Sequence, residues 1–288
     1  LLGAVAGLAA AGAWKALTAR PPGGAERWNR VNHRAETLTL LEGPAYTLAA
    51  AATVGLTPGL PRRLRAAAVL ATLGGGLFGA IDDLHESGKN KGLRGHLGEL
   101  AHGRVSTGGL KILGIGATGV LAAATLKPPV IMHACTRATV HDHGRSSSAA
   151  DVLVGGALIA GTANLLNLFD LRPGRALKVL LLFTPAARST PAGKLVAVAT
   201  GTAAGLLPVD LSEQAMLGDT GANAAGALLG TAAVAGLGRR GRLAALLGVT
   251  ALTLASEKVS FTKVIARTPV LREFDALGRR PAPPAPRS

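Results

Sequence analysis

The sequence predicts an all-α, polytopic integral membrane protein of about nine transmembrane helices with a cytoplasmic active-site cleft. Three observations carry that expectation. Hydrophobic residues make up 48% of the 288 and charged residues only 16%, against roughly 25% charged in an average soluble protein. The apolar residues fall into nine runs, at about 1–18, 43–57, 66–81, 107–126, 149–163, 177–186, 193–208, 221–238 and 242–256; most approach the roughly 20 residues that cross a bilayer core. Of the 16 acidic residues, all but Asp142 and Asp151 fall on alternate connectors, which gathers the polar chemistry on one side.

Composition narrows the class further. The 39 glycines and the alanine-rich runs suit close helix packing in lipid, where hydrophobicity does not drive helices together. The net charge of +15 would raise nucleic acid in a soluble chain. Here the bases are spread over short connectors, with no zinc-finger spacing or RNA-binding signature, so no nucleic-acid partner is expected. The one cysteine, Cys135, excludes an internal disulfide and a cysteine metal cage. Residues 1–14 hold no basic residue ahead of their apolar run and predict a first span rather than a signal peptide.

With nine crossings, connectors 19–42, 82–106, 164–176, 209–220 and 257–288 share one side. With each Lys or Arg near the end of a run given to the nearer side, 20 fall there and 11 on the other side, so the positive-inside rule makes the first side cytoplasmic. The chain divides into a transmembrane domain over 1–256, a cytoplasmic amphipathic segment over 257–280, and a disordered tail over 281–288, rich in Pro and Ala.

In order along that side, the first connector carries Trp28-Asn29-Arg30-Val31-Asn32-His33-Arg34. It reads either as a headgroup anchor or as part of a site. The third run ends in Gly79-Ala80-Ile81-Asp82-Asp83. Two adjacent carboxylates at the end of an uncharged helix repel each other, and Mg²⁺ is the usual partner of carboxylates that handle phosphate. Lys89, Lys91 and Arg94 follow within a few residues and suit a diphosphate, although basic connectors are also ordinary on a cytoplasmic face.

The opposite connector 127–148 holds His133, Cys135, His141, Asp142 and His143, a spacing that fits no familiar metal site. The fifth run leads into Asn164, Asn167 and Asp170. The asparagines share a helix face and are costly at a membrane border without partners. Asp219 stands among glycines directly before the eighth run, where a helix start offers N–H groups to an anion. Read alone, Asp219 or Thr220 would simply cap that helix.

Gly79-Ala80-Ile81-Asp82-Asp83, Asn164-x-x-Asn167-x-x-Asp170 and Met216-Leu217-Gly218-Asp219-Thr220-Gly221, in that order, resemble the motifs of the polyprenyl-phosphate N-acetylhexosamine-1-phosphate transferase superfamily. That superfamily includes the phospho-N-acetylmuramoyl-pentapeptide transferase of peptidoglycan synthesis. The resemblance runs over about 28–256 and implies a Mg²⁺-dependent enzyme of the cell membrane. Such an enzyme moves a sugar 1-phosphate from a nucleotide-activated sugar to a polyprenyl phosphate such as undecaprenyl phosphate, in cell wall or envelope glycan synthesis. It implies Asp82, Asp83 and Asp219 as catalytic and metal-holding residues. Asn164, Asn167, Asp170, Lys89, Lys91 and Arg94 are implied in substrate binding. Expected partners are the lipid, the sugar nucleotide, the membrane and a second copy of the chain in a homodimer.

The chain departs from that pattern. Asp170-Leu171-Arg172-Pro173-Gly174 stands where the family commonly has Asp-Gly-x-Asp-Gly, so Pro173 replaces an aspartate associated with the nucleobase. Met216 stands where an aromatic often stacks on the base. Glu257-Lys258-Val259-Ser260-Phe261 replaces a histidine-rich loop, and no tenth apolar run follows. These changes point to a divergent branch with its own sugar nucleotide. A non-catalytic member that binds polyprenyl phosphate or scaffolds an envelope complex is the alternative. A transporter fits less well, since the carboxylates sit at helix ends rather than in mid-membrane.

Overall fold

The computed structural model describes residues 1–32, 34–85, 107–126 and 149–281. Among them are eleven α-helices: α1 (Leu2–Ala19), α2 (Glu42–Leu56), α3 (Arg62–His85), α4 (Thr107–Leu126), α5 (Ala149–Phe169), α6 (Arg175–Leu181), α7 (Pro191–Leu211), α8 (Gly218–Gly236), α9 (Arg239–Ser256), α10 (Phe261–Arg267) and α11 (Pro269–Ala276). The one sheet among the described residues is a ribbon of β1 (Asn29–Val31) and β2 (Thr37–Thr39), antiparallel, with Arg30 opposite Leu38. The protein is therefore all-helical in its framework. Five of its helices are long and apolar enough to cross a membrane, and a sixth span exists if α9 and α10, bent by 90°, count as one. The run expected over 177–186 is realised as the short α6 and a single 3₁₀ turn at Thr184–Ala186. At 1.5 Å per residue, α6 covers only about 10 Å.

Helix α8 lies at the centre and is buried along nearly its whole length. It packs against α2, α3, α5 and α7. Small residues permit this, as expected where helices must approach closely in lipid. Gly226 and Gly230 of α8 lie against the α5 backbone at 163 and 159. On the flank, Gly3 and Gly7 of α1 meet Gly201 and Gly205 of α7. The buried Tyr46 hydroxyl donates to the Ala199 carbonyl at 3.0 Å, which ties α2 to α7 and leaves no phenol unsatisfied.

Two ends of the bundle can be told apart by contact. At one end Lys194 Nζ donates to the Pro58 carbonyl at 2.8 Å. At the other the C-terminus of α3, the start of α8 and the ribbon come together. Trp28 belongs to this second end. Its indole is buried beside Leu40 and Leu41, against Leu84 and Met216, and donates to the Pro22 carbonyl at 2.8 Å. It packs inside the protein rather than standing out as a headgroup anchor.

Candidate functional site

The site is built on the start of α8. Before that helix the chain is lashed to the ribbon: Thr39 N–H donates to the Gln214 carbonyl at 3.2 Å, and Met216 N–H to the Thr39 carbonyl at 3.1 Å. Gly218 then takes a φ of +62°, a left-handed conformation that glycine adopts without steric cost, and turns the chain into α8. Gly79 of α3 packs on the backbone of Asp219 and Thr220; a Cβ there would overlap the Asp219 carbonyl. That close approach brings the last turn of α3, with its two aspartates, onto the first turn of α8.

Asp83 caps α8 from outside. Its Oδ1 accepts the Asp219 N–H at 3.0 Å, and its Oδ2 accepts the Thr220 N–H at 2.8 Å and the Thr220 hydroxyl at 2.6 Å. A carboxylate at free helix N–H groups is favoured by hydrogen bonding and by the helix dipole. The cap of α8 is thus neither Asp219 nor Thr220 but a residue from another helix. Arg30 adds a tie from β1, donating from Nη2 to the Asp83 carbonyl at 2.5 Å.

Asp82 and Asp219 turn toward one cation, that of Lys111 on α4. Lys111 Nζ donates to Asp82 Oδ2 at 2.6 Å and also bonds Asp219 Oδ2. All three side chains are mostly buried, with exposures of 13–24%. At that burial the pairing is screened far less than on a surface. The lysine lies where the sequence suggested a metal. Among the described residues no three Asp, Glu, His or Cys side chains are arranged to enclose a metal ion. Mg²⁺ commonly takes one or two carboxylates and completes its shell with phosphate and water, so Asp82 and Asp219 fit that ion in company with a diphosphate rather than as a cage.

Asp170 stands just beyond α5, close enough to Asp83, Asp210 and Asp219 to feel their charge, and takes a hydrogen bond from the Gly218 backbone. It therefore joins the same cluster. Asn164 and Asn167 are half-buried on the last turns of α5, just before it in the chain. A pocket of about 300 Å³ opens beside Asp170; Arg30, Asn32, Arg172, Pro173 and Met216 are among its walls. Its lining thus includes Pro173 and Met216, two of the positions at which the chain differs from the pattern it resembles. Lys89, Lys91 and Arg94 lie outside the described residues, as do His133, His141 and His143.

Sequence reasoning missed Lys111, Asp210 and Glu42. Asp210, 2% exposed, accepts the Gly174 N–H at 3.0 Å and so fixes the turn after Asp170. Glu42 opens α2 fully buried, and among the described residues neither of its carboxylate oxygens has a hydrogen-bond partner. The signal for Lys111 was available, as the one charge inside the run 107–126. Nothing local marked Glu42 as interior.

The C-terminal segment is clasped over this end. Arg175 forks onto Asp275 at 2.7 and 3.0 Å, Lys178 Nζ donates to the carbonyls of Phe274, Asp275 and Leu277, and Phe261 stacks on Phe169 at 5.1 Å. Arg280 forks onto Glu36 at 2.5 and 2.9 Å. Arg34 holds Glu213 at 3.1 Å and donates to the Pro281 carbonyl at 2.6 Å. The Arg280 hydrogen bond pulls the Glu36 carboxyl down from 4.5 to about 2. For Asp275, burial pushes upward, but the bond and charge of Arg175, with Arg279, hold it below the usual aspartate value.

No protein-family model matches this chain, and no curated protein matches it either.

Proposed function

We propose that the protein transfers a sugar 1-phosphate from a nucleotide-diphosphate sugar to a polyprenyl phosphate, as a Mg²⁺-dependent enzyme at the cytoplasmic face of the cell membrane, in envelope glycan synthesis. The observation that carries the reading is the meeting of Asp82, Lys111, Asp219 and the Asp83-capped start of α8 at one end of long apolar helices. A lipid phosphate and a water-soluble nucleotide sugar can meet only at such an interface. In this reading the runs 43–57, 177–186 and 221–238 complete nine crossings beside their longer neighbours.

The reaction is an in-line displacement. A lipid phosphate oxygen attacks the phosphorus that bears the sugar. A new P–O bond forms, the bond to the bridging oxygen breaks, and a nucleoside monophosphate leaves. Phosphoryl transfer asks mainly for positioning and charge neutralisation. Asp83 holds α8 so that its first turn faces the diphosphate. Asp82 orients the lipid phosphate and takes its proton. Lys111, released from the carboxylates as the diphosphate arrives, places its ammonium on a phosphate oxygen. Mg²⁺, which Asp219 would hold together with the diphosphate and water, would supply the remaining positive charge. The pocket beside Asp170 receives the nucleoside, Asn164 and Asn167 bind the substrate, and Lys89, Lys91 and Arg94 supply further cations. The changed residues Pro173 and Met216 argue for a base contact different from the family's usual one.

The test is direct. Purified protein is incubated with Mg²⁺, undecaprenyl phosphate and a panel of sugar nucleotides, and nucleoside monophosphate is measured. Release from one member of the panel, dependent on the lipid, supports the reading. A second reading is favoured by Lys111, whose ammonium bonds both Asp82 and Asp219: a non-catalytic member that binds polyprenyl phosphate. Lipid binding with no release from any sugar nucleotide selects it.

A further inference from the structure

Away from the carboxylates, a groove of about 540 Å³ opens between the last turns of α7 and residues 278–280. Its α7 wall is Ala204, Leu207, Pro208 and Leu211, and its other lip carries Arg279 and Arg280. Helix α7 is one of the helices able to cross a membrane. Residues 212–217 join it directly to the start of α8, so the groove is at the same end of the bundle as Asp219. An apolar wall on a spanning helix beneath a pair of guanidinium groups is the chemistry of an anionic amphiphile.

The arginines are held in place rather than loose. Arg279 Nε donates to the Pro173 carbonyl at 2.9 Å and its Nη2 to Asp275 at 2.7 Å, while Arg280 rests on Glu36. Glu36 and Asp275 bond them directly, Glu213 holds the neighbouring Arg34, and Asp210 lies on α7 itself. Against those four acids stand Arg34, Arg175, Lys178, Arg279 and Arg280 in the same set of contacts, an excess of one positive charge. The adjoining α10 and α11 extend it with Lys263, Arg267 and Arg272 against Glu273, and leave Val270 and Leu271 exposed. Basic and apolar groups side by side match an anionic bilayer surface better than a protein partner.

We propose that this groove binds an anionic phospholipid of the surrounding bilayer, with the phosphate at Arg279 and Arg280 and an acyl chain along Leu207 and Leu211. The site is separate from the transfer chemistry proposed above and stands or falls without it. A phosphate seated there bridges α7 to the C-terminal segment, so the lipid helps to hold that segment against Pro173, at the edge of the pocket beside Asp170.

The test uses the full chain carrying Leu211→Trp in nanodiscs, with brominated phosphatidylglycerol or brominated phosphatidylcholine as quencher and the unsubstituted protein as baseline. At about 1 kcal/mol per basic residue near an anionic surface, two arginines predict a preference for phosphatidylglycerol on the order of 30-fold. Arg280→Gln, which leaves the Arg279 contacts intact, should reduce it to about 5-fold. Leu207→Trp replaces the reporter if Leu211→Trp does not give a monodisperse protein. Equal quenching by the two lipids with both arginines present overturns the proposal. So does displacement of phosphatidylglycerol by an equimolar amount of undecaprenyl phosphate, which would make the groove an acceptor-lipid site.

Discussion

The carboxylate of Asp83 accepts both the backbone N–H and the hydroxyl of Thr220, at 2.8 and 2.6 Å, so the end of α3 holds the start of α8. Removing a helix cap of this kind costs roughly 1–2 kcal/mol. Asp83→Ala is expected to lower stability by about that amount in detergent, and Asp83→Asn by less, since its amide oxygen can still accept. Asp82→Asn, whose partner is Lys111 rather than a helix start, should unfold close to the unmodified protein. Thermal unfolding of the three variants checks the ordering; equal losses would remove the assignment of Asp83 as the cap.

The activity of the same residues should sort differently. Under the proposed transfer reaction, Asp82→Asn or Asp219→Asn is expected to lower nucleoside monophosphate release by about 10²-fold or more, the scale seen when one preorganised charge partner is lost. The folded fraction should stay unchanged. Lys111→Met leaves two carboxylates facing each other with no ammonium competing for them and should lower the Mg²⁺ concentration needed for half-maximal activity. Unmodified activity in either aspartate variant would sink the proposed site.

That division of labour shows where the sequence was legible. Asp82, Asp83 and Asp219 were visible because charge at the end of an apolar helix is expensive and so conspicuous. The helical framework was visible in the apolar runs for the same reason. The roles were not visible. Capping rules look to sequence neighbours, which favoured Asp219 or Thr220, whereas the cap comes from a helix more than a hundred positions earlier. Lys111 sits four residues into its run and was absorbed into the count of cytoplasmic bases. The ribbon was too short to leave a period-2 pattern. Trp28 has the composition of an interfacial anchor, and only the ribbon folding over it buries the ring.

Glu42 offers a test of interior electrostatics. A buried carboxyl with no hydrogen-bond partner carries its desolvation cost uncompensated. Glu42→Met, of similar volume and without polar atoms, is therefore expected to stabilise the protein by about 1–3 kcal/mol. Chemical or thermal unfolding in detergent reads this out. A loss of stability would mean that Glu42 is paired in the working protein with a group beyond the described residues.

The C-terminal clasp should open in acid. Glu36 and Asp275 both titrate below their ordinary values of 4.5 and 3.8 in the folded protein. For a depressed carboxyl, the contribution to folding is complete above its unfolded value and is lost as pH falls through its folded one. The window for Glu36 therefore runs from about 4.5 down to about 2, and that for Asp275 begins near 3.8. Glu36 and Arg280 are 42% and 40% exposed, so solvent screens that pair and its share is small. Asp275 faces Arg175, only 4% exposed, and dominates. A nitroxide attached through a cysteine at exposed Val270 should be immobile at neutral pH and gain mobility only below about pH 4. Asp275→Asn should free it at neutral pH, because Arg175 then keeps its charge without a carboxylate, a loss on the order of 3 kcal/mol. A label equally immobile in that variant would show that Lys178 and the Phe169–Phe261 stack hold the segment without the ion pair.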